Sequence, residues 1–117
     1  MSFWQSLFGK PVPTIEAREA QARLQSPEPP FLLDVREPEE YVASRIAGAR
    51  LIPLGELPRR IHELPRDREI LCVCHSGSRS RAAAQHLMAA GLRSVNLNGG
   101  MLGWEGARLP VKRGKDA

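Results

Sequence analysis

The run Glu69-Ile70-Leu71-Cys72-Val73, followed at once by Cys74-His75-Ser76-Gly77-Ser78-Arg79-Ser80, constrains the fold of this chain more than any other stretch. A short aliphatic run of this kind reads as a buried strand, and Ala82-Ala83-Ala84-Gln85-His86-Leu87-Met88 reads as a helix. Cys74 therefore stands where a strand hands over to a helix through a small turn containing Gly77. Such a turn aims successive backbone N–H groups at one point, and the helix behind it adds the positive end of its dipole. A thiol held there ionises more readily than a free one, because those donors stabilise the thiolate. Arg79 brings a full positive charge. The pattern suits a sulfur nucleophile that handles anions. The plain alternative is an inert buried cysteine ahead of an ordinary Gly-Ser loop.

The rest of the chain alternates in the same way. Thr14 reads as the N-cap of a helix running to about Gln25, with Glu16 and Glu19 near its positive end, and Ser26-Pro27-Glu28-Pro29-Pro30 stops it. Phe31-Leu32-Leu33-Asp34-Val35-Arg36 is a second buried strand, and Glu37-Pro38-Glu39-Glu40-Tyr41-Val42-Ala43 opens a helix with proline where a first turn tolerates it. Ile46 to Pro53 is a turn and a short strand. Leu54 to Leu64 is a third helical stretch, with Leu57, Ile61 and Leu64 on one face. After the Cys74 helix, Gly91 takes the C′ position, Ser94-Val95-Asn96-Leu97 is a last strand, and Asn98-Gly99-Gly100 turns into a short helix around Met101 to Glu105. Strands alternating with helices imply an α/β fold of three layers, a mostly parallel central sheet flanked by helices, with ligands bound at the carboxyl ends of strands. Three segments are expected: residues 1–12 as an N-terminal apolar segment, residues 13–111 as the folded body, and residues 112–117 as a basic tail that frays.

Composition removes several classes of function. At 117 residues the chain holds one core. There is no apolar run of about 18 residues and no basic stretch ahead of an apolar one, so neither a membrane span nor a cleavable signal is expected, and the cytoplasm is the expected location. Cys72 and Cys74 are one residue apart, too close for an easy mutual disulfide, and no second ligand pair suggests zinc. Cys72 reads as core. The net charge is +4, but its arginines are scattered, without a basic helix or interleaved aromatics. That spread fits small anionic substrates and a solvated surface better than nucleic acid.

Taken in order, Leu33-Asp34-Val35-Arg36 with Glu40-Tyr41, Ile46-Ala47-Gly48-Ala49 with Ile52-Pro53, the Cys74 loop, and Leu97-Asn98-Gly99-Gly100-Met101 with Trp104 and Leu109-Pro110-Val111 resemble the single-domain rhodanese family of sulfurtransferases. The resemblance runs from about Pro13 to Val111. One departure is Ser44-Arg45 ahead of Ile46, where many members carry Gly-His. The resemblance implies a persulfide cycle without cofactor or metal. The Cys74 thiolate takes the outer sulfur of a donor such as thiosulfate, and cyanide or a thiol then removes it. It implies Cys74 as the nucleophile and substrate contacts from His75, Ser76, Gly77, Ser78, Arg79 and Ser80. Arg36 either reaches the same mouth or pairs with a carboxylate such as Glu40. Asp34 holds backbone or arginine groups rather than doing acid–base work. Partners are then small sulfur-containing anions and thiols, with monomer and homodimer both open.

Two other readings compete. A cysteine-dependent phosphatase or arsenate reductase encloses a tetrahedral oxyanion in a loop of cysteine, five residues and arginine, whereas four residues separate Cys74 from Arg79 and Ser80 occupies the next position. A non-catalytic binding module of the same fold usually lacks the cysteine, which is present here. Outside the body, Phe3, Trp4, Leu7 and Phe8 would gather on one face of a short helix. That stripe is expected to pack on the domain or a second subunit. A membrane interface is the weaker option, since Lys10 alone supplies positive charge.

Overall fold

A computed structural model describes residues 11–115. Within it, five short strands lie parallel in the order β1-β5-β4-β2-β3. They are β1 (Thr14–Ile15), β2 (Phe31–Asp34), β3 (Arg50–Leu51), β4 (Ile70–Val73) and β5 (Ser94–Leu97). Helices α1 (Ala17–Leu24), α2 (Pro38–Ala43), α3 (Leu57–Arg60) and α4 (Ser78–Ala89) connect them, and α5 (Gly100–Gly106) follows the last strand. The layered α/β reading holds.

Alternation along the central strands divides the apolar residues into two cores. Leu33, Val35, Ile70, Cys72 and Cys74 face one way, against Leu57 of α3 and Ala83, Ala84 and Leu87 of α4. Leu32, Leu71, Val73, Val95 and Leu97 face the other way, against Ala17 and Ala20 of α1 and Met101 and Trp104 of α5. Register sets Cys72 between Leu33 of β2 and Asn96 of β5, so Cys74 leaves the sheet from its middle strand.

Three local expectations are corrected. Thr14 caps no helix. The carbonyls of Pro13 and Ile15 accept from the Asn96 and Asn98 amides at 2.8 Å, making this stretch an edge strand, and Glu16 becomes the N-cap of α1. A sheet partner far along the chain thus outbids a local cap. The stretch from Leu54 to Leu64 is not one helix but two 3₁₀ turns around the four-residue α3. Pro53, Gly55, Pro58 and Pro65 explain the interruption. The tail is held as far as Gly114. Arg45 and Lys112 exchange backbone hydrogen bonds at 2.9 and 2.8 Å, and the buried Arg45 guanidinium donates to the Gly114 carbonyl at 2.7 Å.

Gly91 behaves as read. At φ +86° it lets its own amide reach Met88 and that of Leu92 reach Leu87, closing α4 with a paired backbone cap. The stripe Phe3, Trp4, Leu7 and Phe8 lies outside the described residues. Among the described residues, no helix is long and apolar enough to cross a membrane.

Candidate active site

Cys74 follows the last residue of β4, and α4 begins four residues later at Ser78. Gly77 makes that handover possible. It sits at φ +106°, a left-handed conformation that side chains rarely adopt, and its Cα side lies against the Gly99 amide, 3.3 Å from where a Cβ would stand. The loop so formed turns its amides inward. The Gly77 N–H donates to Cys74 Sγ at 3.0 Å, and the Ser76 and Ser80 amides also point at the sulfur. The Ser80 hydroxyl lies 3.3 Å from it. Burial of Cys74, only 1 % exposed, opposes ionisation, but the Ser80 hydroxyl and the three amides outweigh it and hold the thiol below its ordinary pKa.

The loop's carbonyls are turned outward by α5. The amides of Met101 and Leu102, in the first turn of α5, donate to the Cys74 and His75 carbonyls at 2.8 and 3.0 Å. This approach depends on Gly100 (φ +54°), where a Cβ would stand 2.3 Å from the Cys74 carbonyl oxygen and 2.7 Å from His75. Two helix starts therefore meet at one cysteine, α4 presenting amides to the sulfur and α5 gripping the peptide behind it.

The other residues singled out from sequence are placed as follows. His75 and Ser76 are exposed on the loop and Ser78 at the start of α4, whereas Gly77 and Ser80 are buried. Arg79 is half-buried at the rim, and its guanidinium is not free: it makes a two-point pair with Glu40 of α2, both bonds 2.8 Å. Glu40, in turn, accepts from the Glu37 amide at 3.0 Å in the capping box of α2. Arg79 holds the Glu40 carboxyl down at about 2, with help from the Glu37 backbone against the cost of burial. Arg36 does not reach the mouth. It is 3 % exposed, its Nε and Nη2 bind the Asp34 carboxylate at 2.7–3.1 Å, and its remaining donors reach the carbonyls of Glu40 and Ser44. As a substrate contact Arg36 is therefore corrected to a buried brace. It ties β2 to α2, because a guanidinium out of water needs a carboxylate beside it. Asp34 also accepts from the Arg36 amide at 3.1 Å.

Cys72, two residues before Cys74 on the same face, is fully buried, and burial together with its neighbour pushes its thiol up to about 12. It remains a neutral core group. Among the described residues, no three His, Cys, Asp or Glu side chains gather as a metal would need.

Two participants escaped the sequence reading. Glu40, by sequence a candidate partner for Arg36, gives its carboxylate to Arg79 instead. Asn96, 1 % exposed, accepts from the Ser80 hydroxyl at 2.5 Å and donates to the Gly77 carbonyl at 3.2 Å. A signal for it existed: Ser94 and Asn96 alternate in an otherwise apolar strand of a sheet covered on both faces, where polar side chains need partners.

Comparison with known proteins agrees with this geometry. The Rhodanese-like domain profile matches residues 16–107. A protein named "Sulfurtransferase" from Allochromatium vinosum is 36 % identical over 98 residues, covering 83 % of this chain and 92 % of its own. YtwF from Bacillus subtilis is 34 % identical over 96 residues, covering 82 % of this chain and 93 % of its own. The crystal structure of a rhodanese-related protein from Thermoplasma volcanium superposes with a TM-score of 0.80 at 33 % identity, covering 86 % of this chain and 97 % of that one. A parallel sheet that delivers one cysteine into a ring of amides, matched over most of its length to such proteins, places this chain in the rhodanese-like domain family of sulfurtransferases.

Proposed function

We propose that this chain moves a sulfane sulfur from an anionic donor, thiosulfate or a persulfide or polysulfide, to a thiophilic acceptor through a persulfide on Cys74. The observation that carries the reading is the ring of amide donors on Cys74 Sγ, with the Gly77 N–H at 3.0 Å. Amides stabilise negative charge without becoming a base or an acid, which suits chemistry in which sulfur anions attack and leave.

In the first step the Cys74 thiolate attacks the outer sulfur of thiosulfate. A Cys74–sulfur bond forms, the donor's S–S bond breaks, and sulfite leaves with the electron pair. The new terminal sulfur carries the charge, which backbone amides of this kind stabilise. In the second step a thiolate or cyanide attacks that terminal sulfur, and Cys74 leaves as the thiolate from which it began. No proton must move at the sulfur in either step, so the exposed His75 is not required as a base.

The pairing of Arg79 with Glu40 also bears on the rival chemistry. A phosphatase-type loop needs an arginine free to embrace an oxyanion at two points, and here those two points are taken by a carboxylate. Incubation with thiosulfate, followed by mass spectrometry of the intact chain, tests the proposal. The expected result is a gain of about 32 Da, one sulfur as a persulfide, which cyanide removes and which Cys74→Ser never acquires. An unmodified chain that hydrolyses an aryl phosphate would overturn it.

A further inference from the structure

The Ser80 hydroxyl has two claimants and one proton. Its oxygen lies 2.5 Å from Asn96 Oδ1 and 3.3 Å from Cys74 Sγ. The orientation of the Asn96 amide is fixed by its other end, where Nδ2 donates to the Gly77 carbonyl at 3.2 Å. Turning the amide over would set two carbonyl oxygens against each other. Oδ1 therefore faces Ser80, and two oxygens so close require a proton between them, which Ser80 alone can supply. Both side chains are shut away from solvent, Ser80 at 0 % and Asn96 at 1 % exposure, so no water relieves the competition.

We infer that Asn96 is a positioning residue for Cys74, which acts by drawing the Ser80 hydroxyl proton away from the sulfur. The inference rests on reading Cys74 as a sulfur nucleophile and assigns a control on it. With the proton on the Asn96 side, a Ser80 lone pair can accept from the Cys74 thiol. When Cys74 ionises, the hydroxyl can turn to the thiolate only by leaving Asn96 Oδ1 unpaired in a buried site, which is costly. When Cys74 carries a second sulfur, its inner sulfur is neutral and a poor acceptor, and the hydroxyl stays with Asn96 at no cost. Asn96 thus favours the loaded cysteine over the bare thiolate, and keeps the resting thiolate from being so stabilised that it no longer attacks.

Among the described residues, the other titratable or charged groups toward Cys74 are few. Cys72, in β4, is held neutral by burial and by Cys74 itself. Arg79, on α4, interacts electrostatically with Cys74, its guanidinium paired with Glu40 of α2. His75 lies on the loop itself, exposed.

A double-mutant cycle read by alkylation tests the inference, with Asn96→Val, Ser80→Ala and the double variant beside the parent chain. The rate of iodoacetamide capture of Cys74 against pH gives the midpoint of thiol ionisation in each. Contributions of Arg79, Glu40 and His75 are common to all four and cancel. Asn96→Val should lower the midpoint by about half a unit to one unit, the worth of one hydrogen bond handed back to the thiolate. In the Ser80→Ala background the valine substitution should shift nothing further. A valine shift of equal size with and without Ser80, or one upward, would reduce Asn96 to a prop for Gly77 and overturn the inference. Should the valine variant not fold, Asn96→Ser, whose short side chain falls away from Ser80, carries the same expectations. Alkylation needs no sulfur donor, so the cycle stands or falls separately from the +32 Da result.

Discussion

Cys72 in β4 and Cys74 just beyond its end face the same core, yet their surroundings give them opposite chemistry. Burial, with the neighbouring Cys74, pushes the Cys72 thiol up, while Cys74 is buried and also ringed by donors. Cys74→Ser should therefore lower sulfur transfer by roughly a thousandfold or more with little change in melting temperature, and Cys72→Ala should keep the activity while costing about 1 kcal/mol of stability. Steady-state rates and thermal melts on both variants check this pair, and a reversal would undo the assignment of the nucleophile. Glu40 invites a pH experiment. Its pKa is lowered in the folded chain, so its pair with Arg79 contributes fully above the ordinary glutamate value of about 4.3 and is lost as pH falls through about 2. Both side chains are about one-third exposed, 36 % and 31 %, so the contribution is at most about 1 kcal/mol. Urea titrations across that window should show a stability loss that Glu40→Gln largely abolishes. Parallel acid curves for parent and variant would show that the pair contributes nothing.

At the scale of elements, the site depends on two helix starts and one loop length. Gly100→Ala should cost both activity and more than about 2 kcal/mol of stability, because the added Cβ would meet backbone, which has nowhere to yield. Melting temperature and turnover together would check it, and an alanine variant with normal values for both would show that α5 does not need its close approach. Lengthening the loop by one residue after Ser76 should swing the Gly77 and Ser80 amides away from Sγ. Sulfur transfer should then collapse while affinity for phosphate-like anions rises, and an insertion variant with normal turnover would show that loop length is not decisive. The strand, the Cys74 loop, the α4 helix and its glycine stop were all legible in the chain, because each rests on local pattern. What was not legible depends on partners distant in sequence. Thr14 looks like a cap until Asn96 claims the stretch as a strand. Arg79 looks like a free cation until Glu40, 39 residues earlier, binds it. Asn96 carries no motif, and only the meeting of β5 with α4 gives its amide two tasks.

The molecule as a whole is one sheet serving two cores, and the same strands β2 and β4 feed both. Leu33→Ala on one face and Leu71→Ala on the other should each cost about 2–5 kcal/mol. Each should also shift a single transition, since neither layer can loosen without releasing strands that the other needs. Coincident denaturant curves by circular dichroism and tryptophan fluorescence would support this, and separated curves would show layers that melt independently. The sheet is also long at its centre and very short at its sides. Its two outermost strands, β1 and β3, each hold only two residues in the ladder. A foreign strand arriving at either border would find too few backbone partners to anchor it, where lasting strand addition needs a longer run of exposed donors and acceptors. Crowding this protein to high concentration should consequently not seed fibres, since neither margin of its sheet offers a template on which another copy could extend.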